Sequence, residues 1–418
     1  MKLIGKLLVA LVILVWLSHL IQVFVPETGF DAVWYHLPTI TKVIAARGLT
    51  YDPTLPQTLN PLASDLFFLI GFLVLGETGA KVVAYLFGLF VLIISYQLAR
   101  FFLSKTWSLA VCLQISLLQV VAWQSASVYV DNAKAVWELS ALLVLLLFSL
   151  KAQQKNTTKK MTTVLTNSRA SWYVVGAGLL FGMSLGTKYF SWLLVPALMT
   201  SVWLIRRNWK DILLFSAVMV VPPLPFLIHA YQATGDAFQM VTIHIKSFGT
   251  LGGKSSVLNQ LIFRTLELPL SFVKVITVRD YLSPLFIFIL PTCYVAVKHW
   301  RSTDIKIKIL WLFSVNQWLV WWFVPPLSTR YALAGFITLL ILITISLVNM
   351  AKQHRQGEGT LLYLYLALAL VMLTPRLYVN YRSSRYILGY QSKEAYIRQF
   401  FDGSIDVNLI KWHKLEDT

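Results

Sequence analysis

Apolar runs of about twenty residues recur along the whole chain, each long enough for a helix to cross a hydrocarbon core of about 30 Å. Short polar and basic stretches part them. The pattern predicts about eleven transmembrane helices, near residues 7–25, 80–100, 107–124, 133–150, 172–187, 189–205, 211–231, 281–298, 309–324, 331–350 and 360–378. The run at 62–75 breaks the series. It is shorter, holds Asp65 and Gly71, and follows Asn60-Pro61. Counted as a full span it would invert every basic loop after it, so it is expected to be an interfacial or re-entrant helix on the outer side.

Composition and charge settle the orientation. Of the 418 residues, 57% are hydrophobic and 13% charged, and mean hydropathy is +0.67, which leaves too little polar surface for a water-soluble domain. The net charge of +18 gathers in short loops: Lys2 and Lys6, Arg100 and Lys105, 151–169, 206–210, 298–308, then Lys352 and Arg355. Basic loops mark cytoplasmic ends, so nucleic acid is not an expected partner. The N-terminus is expected inside and the C-terminus outside, with residues 1–378 forming one polytopic domain and 379–418 a short outer tail. The long outer loops are then 26–79 and 232–280. Residues 7–25 are too long, and lack the small-residue cleavage site, for a signal peptide. Cys112 and Cys293 both lie in apolar runs and predict no disulfide framework. The sequon Asn156-Thr157-Thr158 falls on the inner side and carries no weight.

Candidate chemistry therefore belongs outside. Phe30-Asp31-Ala32-Val33-Trp34-Tyr35-His36-Leu37-Pro38 opens the first outer loop. A carboxylate this close to the bilayer suits a base acting on a lipid-tailed substrate; the alternative is a solvated cap on a short helix, with Trp34 and Tyr35 in the aromatic belt. Asp131, in Val128-Tyr129-Val130-Asp131-Asn132-Ala133, is a second acidic candidate or an N-cap, with Glu138 two turns further on. Gly178, Gly182 and Gly186 are spaced for close helix packing, and Lys188 follows them. A lysine between two apolar segments meets an anion or snorkels to the surface. Arg330, in Leu327-Ser328-Thr329-Arg330-Tyr331, offers a planar fork of donors at the start of a late helix, suited to phosphate or to interface anchoring. Lys246, Lys254 and Arg264 are weaker candidates in the second long loop.

Taken together, FDAVWYHLP, LNPLASDLFFLIGFLVLG and the three later motifs resemble the GT-C superfamily, polytopic glycosyltransferases of the protein-mannosyltransferase and aminoarabinose-transferase type. The Tyr-Pro-Pro usual before that family's juxtamembrane helix is matched loosely by Leu59-Asn60-Pro61. The resemblance implies an all-α integral membrane fold with an outer juxtamembrane helix; many relatives continue into a soluble domain, whereas here no large soluble domain is expected. It implies a polyprenyl-phosphate sugar as donor and a lipid, glycan or protein hydroxyl as acceptor. It makes Asp31 the general base and places Tyr35, His36, Asp131, Lys188 and Arg330 around the substrate. A divalent cation, Mg²⁺ or Mn²⁺, is compatible with it, though one Asp-Asn pair is a thin ligand set. The expected site faces the outside of a plasma membrane. The competing expectations are a transporter or flippase of lipid-linked sugars and a non-catalytic membrane subunit; the lack of an evident repeat speaks against transport.

Overall fold

The computed structural model describes residues 2–157, 165–243, 257–277, 282–324, 327–353, 357–401 and 406–415. Lys246 and Lys254 lie outside them. Among the described residues there is no strand, only one isolated bridge between Asp52 and Leu55.

Ten helices make up the first part of the bundle: α1 (Lys2–Ile21), α2 (Leu37–Ala46), α3 (Asp65–Arg100), α4 (Lys105–Leu117), α5 (Gln119–Gln124), α6 (Asp131–Thr157), α7 (Leu165–Leu185), α8 (Val195–Arg206), α9 (Trp209–Met219) and α10 (Leu224–Thr234). The Ile289–Lys298, Ile305–Phe323, Leu333–Ala351 and Gly357–Ile387 helices complete it. Each of the eleven predicted spans falls on helix. Among the described residues six helices are long and apolar enough to cross a membrane alone, and α9 with α10, bent by 54°, makes a seventh if taken as one broken span. Part of the shortfall from eleven arises where breaks divide apolar runs. Leu118 leaves helical geometry between α4 and α5, and a 3₁₀ turn, Pro284–Phe288, precedes Ile289–Lys298. The last long helix continues to Ile387, across the point where the outer tail was expected to begin.

The predicted short outer helix is present as the first arm of α3. Leu75 (φ −136°, ψ 23°) and Gly76 (φ 59°, ψ −142°) are non-helical, so α3 is two helices joined at a break. Residues eight apart on a continuous helix lie about 12 Å apart. Here Gly71 and Gly79 face each other so closely that a Cβ on either would strike the other's backbone. Two glycines let the arms fold against one another. A third site of the same logic is Gly182, whose missing Cβ leaves room for Met219 and Pro222; Gly178 likewise sits against Phe215 and Val218. The glycine spacing thus seats α7 on α9, as its periodicity suggests.

Burial ranks the helices. In the most apolar stretch of the Thr329–Ala351 span 89% of the residues are buried inside the protein, against 28% for Gly357–Ile387. The first therefore forms the centre with α6, and the second lies at the periphery with its apolar face outward. Both cysteines are free.

Candidate active site

The site is built on the first outer loop. Pro38 has no N–H to give the Trp34 carbonyl, four residues back, and the chain widens there into a π-helical turn, Ala32–His36. Leu37 donates instead to the Ala32 carbonyl. The turn presents Asp31 at its start and Tyr35 one turn later, with Tyr35 Oη donating to Asp31 Oδ2 at 3.3 Å. Asp31 N in turn donates to Tyr129 Oη at 3.0 Å.

Glu27 fastens this loop to the turn before α6. Its Oε1 accepts from Ser127 Oγ at 2.6 Å, Gly29 N at 2.8 Å and Thr28 N at 3.0 Å, and its Oε2 accepts from Val128 N at 2.8 Å. Gly29 is needed at this crossing, since a Cβ there would run into Ser127 Oγ and the Tyr129 ring. Lys81 Nζ donates to the Val25 carbonyl at 2.6 Å, and Glu77 Oε1 accepts from Glu27 N at 2.7 Å. The C-terminal residues close the same region: Trp412 Nε1 donates to Glu77 Oε2 at 2.6 Å, and His413 Nε2 to the Glu27 carbonyl at 2.8 Å.

Arg330 arrives from the opposite side, in the 3₁₀ turn Thr329–Ala332 that leads into Leu333–Ala351. Its Nη1 lies 2.7 Å from Asp31 Oδ2. Its Nη2 donates to Tyr331 Oη at 3.1 Å, and the guanidinium sits over the rings of Tyr331 and Tyr129, 5.0 and 5.4 Å from their centroids. Arg330 Nε is buried with no hydrogen-bond partner. Desolvation, then the Asp31 charge, pushes the Tyr35 phenol well above its ordinary pKa, and the same two causes raise Tyr129. Both are therefore neutral donors or acceptors, not phenolates.

Asp131 and Lys188 form a second pair, Lys188 Nζ to Asp131 Oδ1 at 2.6 Å, while Gln124 Nε2 donates to Asp131 Oδ2 at 3.0 Å. Lys188 lies over the Tyr331 ring at 4.5 Å, so Tyr331 stands between the two ion pairs. Its side chain is 15% exposed and engaged inward instead of reaching out along the surface. His36 Nδ1 pairs with Asp65 Oδ1 at 2.7 Å, and its Nε2 is buried without a partner. Glu138 accepts from Lys134 Nζ at 2.7 Å, Ser184 and Ser191 at 3.0 Å each, and Gln317 at 2.9 Å. Arg264 packs its guanidinium over Trp322, 5.3 Å away, on a different part of the surface.

A cavity of about 880 Å³ opens beside these residues. Asp31 and Arg330 are on its wall; Tyr35, His36, Asp131 and Lys188 are not. The sequence motifs missed Glu27, Lys81, His19 and Arg376, which also line it. Arg376 carried a legible signal, a charged residue beside Pro375 within the apolar run 360–378. Glu27 carried a weaker one, an acid four residues before Asp31. Among the described residues no group of three or more His, Cys, Asp or Glu is placed to hold a metal ion. Around the cavity Asp31 Oδ1 is one carboxylate oxygen, short of the oxygen-rich set Mg²⁺ or Mn²⁺ needs.

No family model matches the chain, and no curated protein does. Solved structures do. ArnT from Cupriavidus metallidurans, bound to undecaprenyl phosphate, aligns with 98% of this chain and 76% of its own at 14% identity and a TM-score of 0.56. The Archaeoglobus fulgidus oligosaccharyltransferase AglB, in complex with an inhibitory peptide and a dolichol-phosphate, aligns with 90% of this chain at 14% identity and a TM-score of 0.51. The same enzyme tethered with an acceptor peptide aligns with 93% at 15% identity and a TM-score of 0.54. The chain spans about half the length of AglB, 55% in both comparisons. Likeness at this identity is likeness of fold, and this multi-pass membrane chain shares its fold with ArnT and with the transmembrane-rich part of the oligosaccharyltransferase that it covers.

Proposed function

We propose that the protein is a glycosyltransferase that moves a sugar from a polyprenyl-phosphate donor to an acceptor hydroxyl on the outer face of a plasma membrane. The observation that carries this is the state of Asp31. Its Oδ2 is held by Arg330 and Tyr35, its Oδ1 accepts no hydrogen bond among the described residues, and the side chain lines the cavity. A buried carboxylate oriented through one oxygen and open at the other suits a general base.

In the proposed step the acceptor hydroxyl gives its proton to Asp31 Oδ1 as its oxygen attacks the anomeric carbon. The bond from that carbon to the phosphate oxygen breaks on the far face, inverting the centre, and the electron pair leaves with the lipid phosphate. Arg330 Nε, buried and unpartnered, is placed to receive the charge that develops. Lys188 adds positive charge nearby while balancing Asp131, whose two oxygens are taken by Lys188 and Gln124, so that Asp131 holds Lys188 in place and does not meet the sugar directly. Tyr35 orients Asp31; His36, locked by Asp65, supports the Tyr35 ring 4.2 Å away. The reading needs no metal, and titration with Mg²⁺, Mn²⁺ and EDTA tests that. The neighbours bound to undecaprenyl phosphate and dolichol-phosphate share the fold and support the donor class.

The test is a deletion strain complemented with wild type or Asp31→Asn, with envelope glycans and lipid-linked sugars read by mass spectrometry. Wild type is expected to restore a glycosylated product while the variant accumulates the polyprenyl-phosphate sugar. Equal restoration by both would remove Asp31 as the base and bring forward transport of lipid-linked sugars.

A further inference from the structure

The cations of the candidate site are mostly spoken for: Arg330 by Asp31, Lys188 by Asp131, Lys134 by Glu138. Arg376 is the exception on the cavity wall. It lies just after Pro375 in Gly357–Ile387, and only 9% of its surface is exposed. Its Nε and Nη2 are both buried without a hydrogen-bond partner, and among the described residues it forms no ion pair. An uncompensated guanidinium away from bulk water is a costly thing for a fold to keep. Two parallel N–H donors aimed away from any protein acceptor match the oxygens of a phosphate.

The surroundings are fitted to it. His19 Nε2 donates to the Ser116 carbonyl at 2.8 Å, and in the neutral ring this leaves Nδ1, buried and unpartnered, as an acceptor on the same wall. Gln22 is held on both sides, by Asn380 at 2.8 Å and Ser383 at 2.7 Å, and so does not compete for the arginine. Leu117, Val120, Met372 and Val379 supply an apolar flank.

We propose that Arg376 and His19 form an anion subsite, on the wall of the same cavity as Asp31 and Arg330, that takes the phosphate group of an amphiphile whose hydrocarbon lies along the apolar flank. Arg376 donates to the phosphate oxygens through Nε and Nη2. His19 Nδ1 accepts a hydrogen bond from a hydroxyl beside them. The phosphate belongs either to the polyprenyl donor or to a phosphorylated lipid acceptor, and only this choice rests on the function proposed above.

The test uses the full-length protein purified in neutral detergent, with Arg376→Met and Arg376→Lys, and binding of undecaprenyl phosphate, undecaprenol and dioleoyl phosphatidic acid. Arg376→Met is expected to weaken undecaprenyl phosphate roughly 10- to 100-fold and leave undecaprenol unchanged. Arg376→Lys is expected to retain part of the affinity. If Arg376→Met spares undecaprenyl phosphate but loses phosphatidic acid, the subsite stands and serves the acceptor. Without ligand, Arg376→Met should unfold at the same temperature as wild type or higher, because it removes an unpaired buried charge. A lower unfolding temperature, or unchanged binding of both phosphates, overturns the subsite and makes Arg376 structural. The subsite is read by binding and the proposed function by turnover, so failure of the one is visible apart from failure of the other.

Discussion

Asp31 and Glu138 are both buried carboxylates, each within 2.7 Å of a cation, and they are built for different ends. Glu138 sits two turns into α6 and uses both oxygens, Oε1 for Lys134, Ser184 and Ser191, and Oε2 for Gln317. Nothing is left to offer a substrate. The group ties α6 to α7 and to Ile305–Phe323. Asp31 is held through Oδ2 alone and lines a cavity. What separates a candidate base from a strut is therefore the unused acceptor capacity, not burial or a nearby cation, since both residues have those.

The comparison breaks first at Asp31. Asp31→Asn keeps the shape and removes the basic oxygen, so turnover should fall about 10²- to 10⁴-fold, with the unfolding temperature within a few degrees of wild type. A folded variant with near-normal turnover would erase the distinction drawn here. Glu138→Leu should do the opposite. It strands Lys134 and removes the acceptor of Ser184, Ser191 and Gln317, so stability should drop by about 3–5 kcal/mol, read from thermal unfolding in detergent. Adding Lys134→Met should recover much of the loss, because the pair as a whole contributes little. If the single variant unfolds normally, Glu138 is not a strut.

Glu27→Gln sharpens the contrast from within the first loop. One amide group cannot accept all four hydrogen bonds Glu27 takes, and the local cost should be about 1–3 kcal/mol. Hydrogen exchange is expected to rise at Thr28, Gly29 and Val128 and not in α6. Uniform protection would show that the loop does not depend on Glu27. The smallest effect belongs to Tyr35→Phe, which removes one long bond to Asp31. Turnover should fall no more than about tenfold. Burial and the Asp31 charge both disfavour the Tyr35 phenolate, so the alkaline limb of the pH–rate profile should be the same in wild type and variant. A limb that disappears in Tyr35→Phe would mean that Tyr35 titrates.

Six candidate residues were legible in the sequence, Asp31, Asp131, Lys188 and Arg330 because charged groups next to apolar runs are rare and costly, and Tyr35 and His36 through the family resemblance. The structure gathers five of them, Asp31, Tyr35, Asp131, Lys188 and Arg330, around Tyr331. It does not give them equal access, since only Asp31 and Arg330 reach the cavity. Lys188 shows what the sequence leaves open. A basic residue between two helices was expected to meet a lipid phosphate or the surface, and within the protein it also has a partner the sequence did not show, Asp131, fifty-seven residues away. Arg376 shows the reverse, because its lack of a partner is visible only once every neighbour is in place.

Membrane location, helix content and the short outer helix followed from local rules: run length, loop charge, and glycine where backbones approach. Those rules act within a turn or two of the chain, and the bilayer enforces them on any sequence that enters it. Which buried charge is paired, which oxygen stays free and which side chains share one cavity depend on residues about a hundred or more positions apart, such as Asp31 with Tyr129 and Arg330. Pairing at that distance follows from how α6 and the Leu333–Ala351 helix pack against the first loop, and only the tertiary structure decides it.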